Sequence, residues 1–157
     1  MNKLVSIVLV VIGLLSFTTC QKLADPEKIK MNAKELDEKW ITALVNMDIK
    51  GIMDCYWNSP NAMFYPPDKM EIRGYEAIKL WFQVFFVVNQ IKESKLINTS
   101  YMVLGENALS SGQWSVTIGT PRGKDVILQG RRTAVSSLRD GKWIYIHDHV
   151  SESLPET

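Results

Sequence analysis

The chain's two histidines, His147 and His149, lie two residues apart near the carboxyl end and are the residues best suited to move a proton. The ordinary pKa of a histidine side chain is about 6.5, so the imidazole can act as a base at neutral pH. Side chains alternate along an extended strand, which gives the two histidines one shared face. The other residues expected on that face are Trp143, Tyr145 and Ser151.

An arginine on the preceding strand could complete a binding site for an oxyanion. Asp140-Gly141 is a strong signal for a two-residue hairpin turn, and counting outward from it pairs Arg132 with His149. Arg132 would then share the face of the histidines, where a guanidinium can bind a carboxylate. A single β-bulge would exchange Arg132 for Arg131, so both arginines are candidates.

Metal binding is the less favoured use of the histidine pair. A His-x-His pair supplies two ligands and no cysteine lies nearby, so we expect no metal, and nothing in the sequence indicates a cofactor. Asp148 alternates to the opposite face, where we expect it to contact solvent or an interface. Cys55 lies in an apolar helical stretch and is expected to be a small buried residue without a reactive thiol.

The first half of the chain shows helical patterns. Asp25-Pro26-Glu27 is typical of a helix start, and apolar residues then recur at steps of three or four from Ile29 to Met47. Asp48 is placed to cap a shorter second helix that runs through Trp57. A third helix, from Tyr75 to about Gln90, is apolar on nearly every side and is expected to be largely buried.

The second half of the chain shows strand patterns. A short strand, Ala62 to Tyr65, is stopped by Pro66-Pro67 before the third helix. Four longer strand-like segments follow it: Lys95 to Leu104, Ala108 to Ile118, Val126 to Leu138 and Lys142 to Ser151. Three helices followed by an antiparallel meander predict an α+β domain.

The first twenty residues have a different character. Lys3 precedes an apolar run from Leu4 to Leu15, and a small polar run then ends at Cys20, as in a secretory signal peptide. The run is shorter than the roughly 18 residues that span a bilayer. We predict a signal peptide at 1–19, a tether at 20–25, one domain at 26–153 and a tail at 154–157.

The position of Cys20 resembles a bacterial lipobox, in which the cysteine is diacylated and becomes the new N-terminus. That resemblance implies a protein exported to the cell envelope and held at a membrane by lipidated Cys20. Simple cleavage, which would leave the protein periplasmic, and a retained apolar anchor are the alternatives.

The composition of the chain limits the kinds of partner that it can bind. The chain has 157 residues, 46% of them hydrophobic, which suits one globular domain. Lys and Arg number 18 against 17 Asp and Glu, and there is no basic run. A nearly neutral chain lacks the electrostatic footprint of a nucleic-acid-binding protein, so we expect no nucleic-acid partner.

The order of these elements resembles the SnoaL-like, or nuclear transport factor 2-like, superfamily. Four motifs carry the resemblance: Trp40 to Asp48, Asn61 to Pro67, Ile72 to Ile78 and Gly130 to Ser151. The last motif is similar to the calcium/calmodulin-dependent protein kinase II association domain subgroup. The resemblance implies a cone-shaped nuclear transport factor 2-like fold, with three N-terminal helices packed on a curved, mostly antiparallel sheet around a pocket.

In that fold one face of the sheet lines the pocket, which implies a binding site for a small, partly apolar, anionic molecule. The residues expected to line it are Trp40, Tyr65, Trp81, Arg131, Arg132, Tyr145, His147, His149 and Ser151. We therefore predict a ligand-binding domain that also forms a homodimer or a larger homo-oligomer.

Two alternatives come from other functional classes. The ketosteroid-isomerase-like pattern needs an Asp where this chain has Tyr65 and a Tyr where it has Trp40, so that mechanism does not carry over. An isomerase, dehydratase or cyclase would have to use His149 as its base. The other alternative is an assembly module without a ligand, which would pair through an apolar outer face with Ile144, Ile146 and Val150.

Overall fold

A computed structural model of the chain describes residues 25–119 and 123–153. In these parts the helices are α1 (Pro26–Val45), α2 (Ile49–Met53) and α3 (Tyr75–Val88), and the strands are β1 (Met63–Tyr65), β2 (Ile72–Arg73), β3 (Gln90–Leu104), β4 (Asn107–Gly119), β5 (Val126–Arg139) and β6 (Lys142–Glu152). The predicted signal peptide, Cys20, most of the tether and the tail lie outside the described residues. Within the described parts, no helix is both long and apolar enough to cross a membrane.

The six strands found in the described residues form one sheet, in the order β2-β1-β6-β5-β4-β3. β1 runs parallel to β6, and every other neighbouring pair is antiparallel. The helices pack on the inner face of this sheet, chiefly α1 against β3 and β4. The predicted α+β fold, with helices on a mostly antiparallel sheet around a conical space, is confirmed.

The helix starts follow from their capping residues. The side chain of Asp25 accepts a hydrogen bond from the backbone N–H of Glu27, and Pro26 occupies the first turn of α1. α3 begins after Gly74, whose φ of 93° is a conformation that favours glycine. α2 ends at Met53, short of the predicted Trp57, because the chain turns there and pairs with β6: the backbone N–H of Trp57 donates to the carbonyl of Tyr145.

The core lies between α1 and the inner face of the sheet. α1 buries one stripe of its surface, made of Ile29, Ala33, Leu36, Asp37, Trp40, Ala43 and Leu44. Its carboxyl-terminal half joins a large cluster that includes Tyr56, Phe64 and Phe82, whereas Ile29 and Ala33 pack with Ala108 in a smaller one. Each large buried side chain contributes on the order of 2 kcal/mol to folding.

α3 differs from its predicted burial. Within this helix Ile78 and Phe82 are buried, but Leu80 is 61% exposed and Val87 is 85% exposed. The helix packs on the rest of the fold along one side, and its other apolar sides face solvent or the interior cavity. The expectation that α3 would be largely buried is therefore wrong.

A β-bulge divides β6 into two halves. Asp140 and Gly141 have φ values of 51° and 75°, which confirms the predicted two-residue turn. Ser136 then pairs with Tyr145, but Val135 pairs with His147, so Ile146 is an extra residue on β6. Beyond the bulge every side chain of β6 lies on the face opposite to the one that the turn predicts.

The bulge corrects the predicted pairing of Arg132. This residue lies opposite Val150, and His149 lies opposite Thr133. Since directly paired residues share a face, Arg132 lies on the inner face with Val150, while the histidines lie on the outer face. The prediction that Arg132 and His149 face each other is wrong, because it assumed an unbroken register.

Candidate functional site

A cavity of about 560 Å³ lies between α3, α1 and the inner face of the sheet. Its walls are mainly apolar and aromatic, with Phe64, Trp81 and Phe85 on one side and Trp114, Val116 and Leu128 on the other. Arg132 lies in the lining, where it is 3% exposed. A cavity of this size, with few polar groups among apolar walls, is typical of a small-molecule site.

Two carboxylates and two rings fix the Arg132 side chain. Its Nε donates to Oδ1 of Asp148 at 2.9 Å, and its Nη1 donates to Oδ1 of Asp37 at 2.8 Å. The guanidinium carbon lies 4.7 Å from the ring centre of Trp40 and 4.7 Å from that of Tyr145. Charge-assisted bonds and cation–π contacts together hold the guanidinium in one orientation.

Three tyrosines complete the hydrogen bonding of the two carboxylates. The Tyr56 hydroxyl donates to Oδ2 of Asp148 at 2.7 Å, and the hydroxyls of Tyr145 and Tyr101 donate to Asp37. Burial, and then the neighbouring Asp148, raises the pKa of Tyr56, and burial raises the pKa of Tyr145 although Arg132 opposes it. Both hydroxyls therefore stay protonated and act as donors.

Arg132 keeps its positive charge although its side chain is buried. Burial by itself lowers the pKa of the guanidinium, but Asp148, Tyr145 and Asp37 together raise it well above its ordinary value. The charge therefore depends on these neighbours, because an unpaired guanidinium would be very costly to bury.

Two donors beside the cavity lack partners among the described residues. Nη2 of Arg132 and Nε1 of Trp40 are buried without a hydrogen bond, and both residues line the cavity. A buried polar group without a partner costs about 1–3 kcal/mol, so such groups in a native protein require an explanation. Each of these N–H groups is an unused donor that an acceptor atom of a ligand would satisfy.

The outer face of the sheet carries a second group of polar side chains. The Tyr65 ring packs against His147 and His149, with ring centres 5.2 and 5.9 Å apart, and its hydroxyl donates to Glu71 at 2.8 Å. Burial lowers the pKa of the half-buried His147, although Asp148 and Glu71 oppose that effect. Neither histidine lines the cavity.

The structure brings some of the predicted pocket residues together and separates others. Those that line the cavity are Trp40, Trp81 and Arg132. Tyr145 is buried behind Arg132, and Arg131 is exposed. The remaining residues, Tyr65, His147, His149 and Ser151, lie outside the cavity lining, although the Ser151 carbonyl accepts a hydrogen bond from Nε1 of Trp114.

Two predictions about β6 are wrong because the bulge reverses its faces. Asp148, expected to contact solvent or an interface, is fully buried against Arg132. Val150, expected on an apolar outer face with Ile144 and Ile146, lines the cavity.

Asp37, Tyr56 and Tyr101 are parts of the site that the sequence patterns did not predict. Asp37 had a readable signal: it lies four residues after Ala33 and three before Trp40, inside the apolar stripe of α1. A charged residue in such a stripe is almost never fully buried without a partner. For Tyr56 and Tyr101 no local pattern distinguishes a network tyrosine from a core tyrosine.

Two other candidate groups can be placed. Cys55 is fully buried, and burial raises the pKa of its thiol to about 11, in agreement with the expected unreactive role. Among the described residues, no group of three or more His, Cys, Asp or Glu side chains is arranged to hold a metal ion.

The sequence matches one protein family over most of its length. The family model of the calcium/calmodulin-dependent protein kinase II association domain matches residues 30–154. No curated protein matches the chain's sequence significantly.

Solved structures share the fold. A proposed association-domain protein of the same kind from Xanthomonas campestris is 25% identical, with a TM-score of 0.69 over 80% of this chain and 87% of that one. A nuclear transport factor 2-like superfamily protein from Salmonella enterica is 18% identical, with a TM-score of 0.73 over 83% and 95% of the two chains. A proposed dehydratase of the same superfamily from Streptomyces avermitilis is 14% identical, with a TM-score of 0.75 over 83% and 99%.

Proposed function

The chain belongs to the calcium/calmodulin-dependent protein kinase II association domain family, and on that premise we propose that it is a binding domain for one small, largely apolar molecule. The ligand would occupy the cavity and present a hydrogen-bond acceptor to Arg132 and Trp40. The apolar walls would take most of its surface, and the two donors would set its orientation.

The observation that carries this proposal is the pair of buried, unpartnered N–H groups. Nε and Nη1 of Arg132 donate to Asp148 and Asp37, so Nη2 remains free to donate to another acceptor. The rings on either side of the guanidinium limit its movement, so Nη2 cannot easily turn to another acceptor. The acceptor could be the expected carboxylate or a neutral carbonyl.

The enzymatic alternative has no comparable support. A base must lie within hydrogen-bond reach of the proton that it removes, but His149 is exposed on the outer face and does not line the cavity. Asp37 and Asp148 do lie beside the cavity, yet donors already occupy their oxygens.

A ligand survey tests the proposal. The purified protein would be examined by native mass spectrometry for co-purified molecules and by thermal shift against carboxylates, esters, sterols and aromatic polyketides. We expect a hit to raise the melting temperature by several degrees. Trp40→Phe removes one donor but keeps an aromatic ring, and should weaken binding roughly five- to tenfold, which corresponds to about 1 kcal/mol.

The matched control is Trp57→Phe, which also removes an indole N–H but lies outside the cavity lining. This variant should bind as tightly as the wild type. Equal affinity of Trp40→Phe and Trp57→Phe for every hit would count against the proposed role of the Trp40 donor. The absence of any hit would count against the whole proposal.

We also propose that the chain forms a homo-oligomer, because its family is named for association. The outer face of the sheet is the candidate surface. It presents Thr133 and Val135 of β5 beside His147 and His149 of β6, and all four point away from the cavity.

A charge placed on that face tests the interface. Val135→Lys should dissociate the oligomer at concentrations where the wild type is assembled, since an unpaired charge is costly to bury. Val87→Lys, on the exposed side of α3, is the matched control and should leave the assembly intact. Sedimentation would contradict the proposal if the wild type were a monomer at high concentration, or if Val135→Lys assembled as the wild type does.

Export and lipid anchoring form the last part of the proposal. They are supported by the charged, apolar and small-residue pattern of 1–19 and by the position of Cys20. Expression in a bacterial host should yield protein in the membrane fraction, with a mass increased by acylation at Cys20. Cys20→Ser should release it, and an unmodified Cys20 in the wild type would refute the anchor.

A further inference from the structure

The buried cluster around Arg132 carries more negative than positive charge. Among the described residues, all five hydrogen bonds within it bring a donor to a carboxylate oxygen of Asp37 or Asp148. Both carboxylates form ion pairs with the same guanidinium. One guanidinium stands against two carboxylates, and the tyrosines are neutral, so the cluster has a formal charge of −1.

The charged residues at the cavity wall do not offset this excess. Besides Arg132, the charged residues that line the cavity are Asp68, Lys69 and Glu152. Their formal charges add one positive and two negative. A ligand in the cavity is therefore surrounded by more anionic than cationic groups, although the nearest free donor belongs to a cation.

From this arrangement we infer that the cavity selects uncharged carbonyl compounds, such as apolar esters, ketones or amides, and discriminates against carboxylates of the same shape. The inference rests on the proposed function and specifies its ligand class. It departs from the anionic ligand that the sequence predicts.

The physical reason is a balance of three effects on the ligand's acceptor. A carboxylate would gain attraction to Arg132, but Asp37 and Asp148, bonded to the same guanidinium, would repel it. It would also lose its hydration inside apolar walls, which is far more costly for an ion than for a neutral carbonyl. A neutral carbonyl can accept a hydrogen bond from these donors without either penalty.

Three probes that share the phenylpropenyl unit separate these effects. Methyl cinnamate carries a neutral carbonyl, cinnamate carries a carboxylate, and propenylbenzene carries no acceptor. Their affinities for the purified protein would be measured by calorimetry at neutral pH. We expect methyl cinnamate to bind at least about tenfold more tightly than each of the other two.

The outcomes distinguish the inference from the proposed function. Cinnamate binding as tightly as the ester, or more tightly, would overturn the inference but leave a binding domain with an acceptor site. Equal binding of all three would overturn it by showing an apolar cavity whose donors are not used. Failure of all three to bind would overturn the inference, and the proposed function would fall with it if the wider ligand survey also gave no hit.

An isosteric variant tests whether the negative charge of the buried cluster causes the preference for the neutral ester. Asp148→Asn removes one negative charge, while its carbonyl oxygen can still accept from Arg132 and its amide can donate to the Tyr56 hydroxyl. We expect this variant to narrow the preference for the ester over cinnamate by about tenfold or more. Asp140→Asn, in the exposed hairpin turn, changes the net charge equally and should leave the preference unchanged.

An unchanged preference in folded Asp148→Asn would contradict the electrostatic cause. If Asp148→Asn does not fold, the comparison of the three probes on the wild type still decides whether the cavity prefers the neutral carbonyl.

Discussion

At the scale of single residues, two neighbouring arginines have opposite environments. Arg131 is exposed, whereas Arg132 is 3% exposed and bonded to Asp37 and Asp148. Removing the guanidinium would leave both buried carboxylates without a cation, and breaking a buried ion pair in this way costs about 3–5 kcal/mol. We predict that Arg132→Met lowers the free energy of unfolding by this amount in urea denaturation.

Arg131→Met is the matched control, and it should change the free energy of unfolding by less than about 0.5 kcal/mol. Similar losses in the two variants would show that Arg132 does not hold a buried network.

His147 makes the stability of the fold depend on pH. Burial keeps the pKa of this half-buried side chain below its ordinary value of 6.5 in the folded state. The unfolded chain therefore binds the proton more readily, so the contribution of His147 to stability is present above pH 6.5 and is lost as the pH falls through the folded-state pKa. We expect the free energy of unfolding to decrease on acidification through this range, and His147→Gln to reduce that decrease.

The direct measurement is an NMR titration, in which the His147 signal is assigned by its absence from His147→Gln. A midpoint at or above 6.5 would contradict the burial of this side chain.

The limits of prediction are visible in the same residues. Arg132 could be identified as a candidate because residue type and hairpin counting both pointed to it. Asp148 was placed on the wrong face because alternation is a local rule that fails beyond a bulge. The partners Asp37 and Arg132 are 95 residues apart in the sequence, and no pattern in one chain records a contact of that range.

At the scale of elements, the bulge at Ile146 decides which side chains of β6 enter the interior. It leaves Tyr145 and Asp148 both facing inward although they are three residues apart. Deleting Ile146 would remove the bulge and restore strict alternation, with Asp148 still opposite Ala134 and Val150 still opposite Arg132 on the inner face. We predict that this deletion keeps a cooperative unfolding transition but lowers the free energy of unfolding by about 1–3 kcal/mol, because β6 would lose the local bend and twist that the bulge provides.

Ile146→Ala serves as the control for the deletion, since it shortens the side chain without removing the bulge. It should remain folded with a modest loss of stability, as for other partly buried aliphatic residues. A deletion variant as stable as Ile146→Ala would show that β6 does not need the bulge.

The helices and the turn were predictable for a different reason. Asp25-Pro26 and Asp140-Gly141 act through the backbone conformation of their own residues, so their effect can be read locally. α3 was misjudged because an apolar sequence indicates what a helix could bury, but not how much surface the rest of the fold offers to cover it. Its exposed side chains include Leu80 and Val84, which also line the cavity.

At the scale of the whole molecule, the start of α1 lies far from the end of the cavity that Ile118 and Glu152 line. Ile29 packs near Ala108 and Trp143, at the starts of β4 and β6, whereas the cavity is lined by Ile118 and Glu152, at the ends of these strands. Strands of this length span roughly 35 Å. An anchor at Cys20, shortly before α1, would therefore leave the cavity accessible from the aqueous side.

The central claim is that the cavity binds a ligand through the free donors of Arg132 and Trp40. The most direct measurement is the indole N–H spectrum of the five tryptophans during titration with methyl cinnamate, with the Trp40 signal assigned from Trp40→Phe. We predict a downfield shift and slower hydrogen exchange for Trp40, with Trp57 unchanged. Saturable binding of methyl cinnamate without a shift of the Trp40 indole N–H signal would contradict the proposed role of this donor.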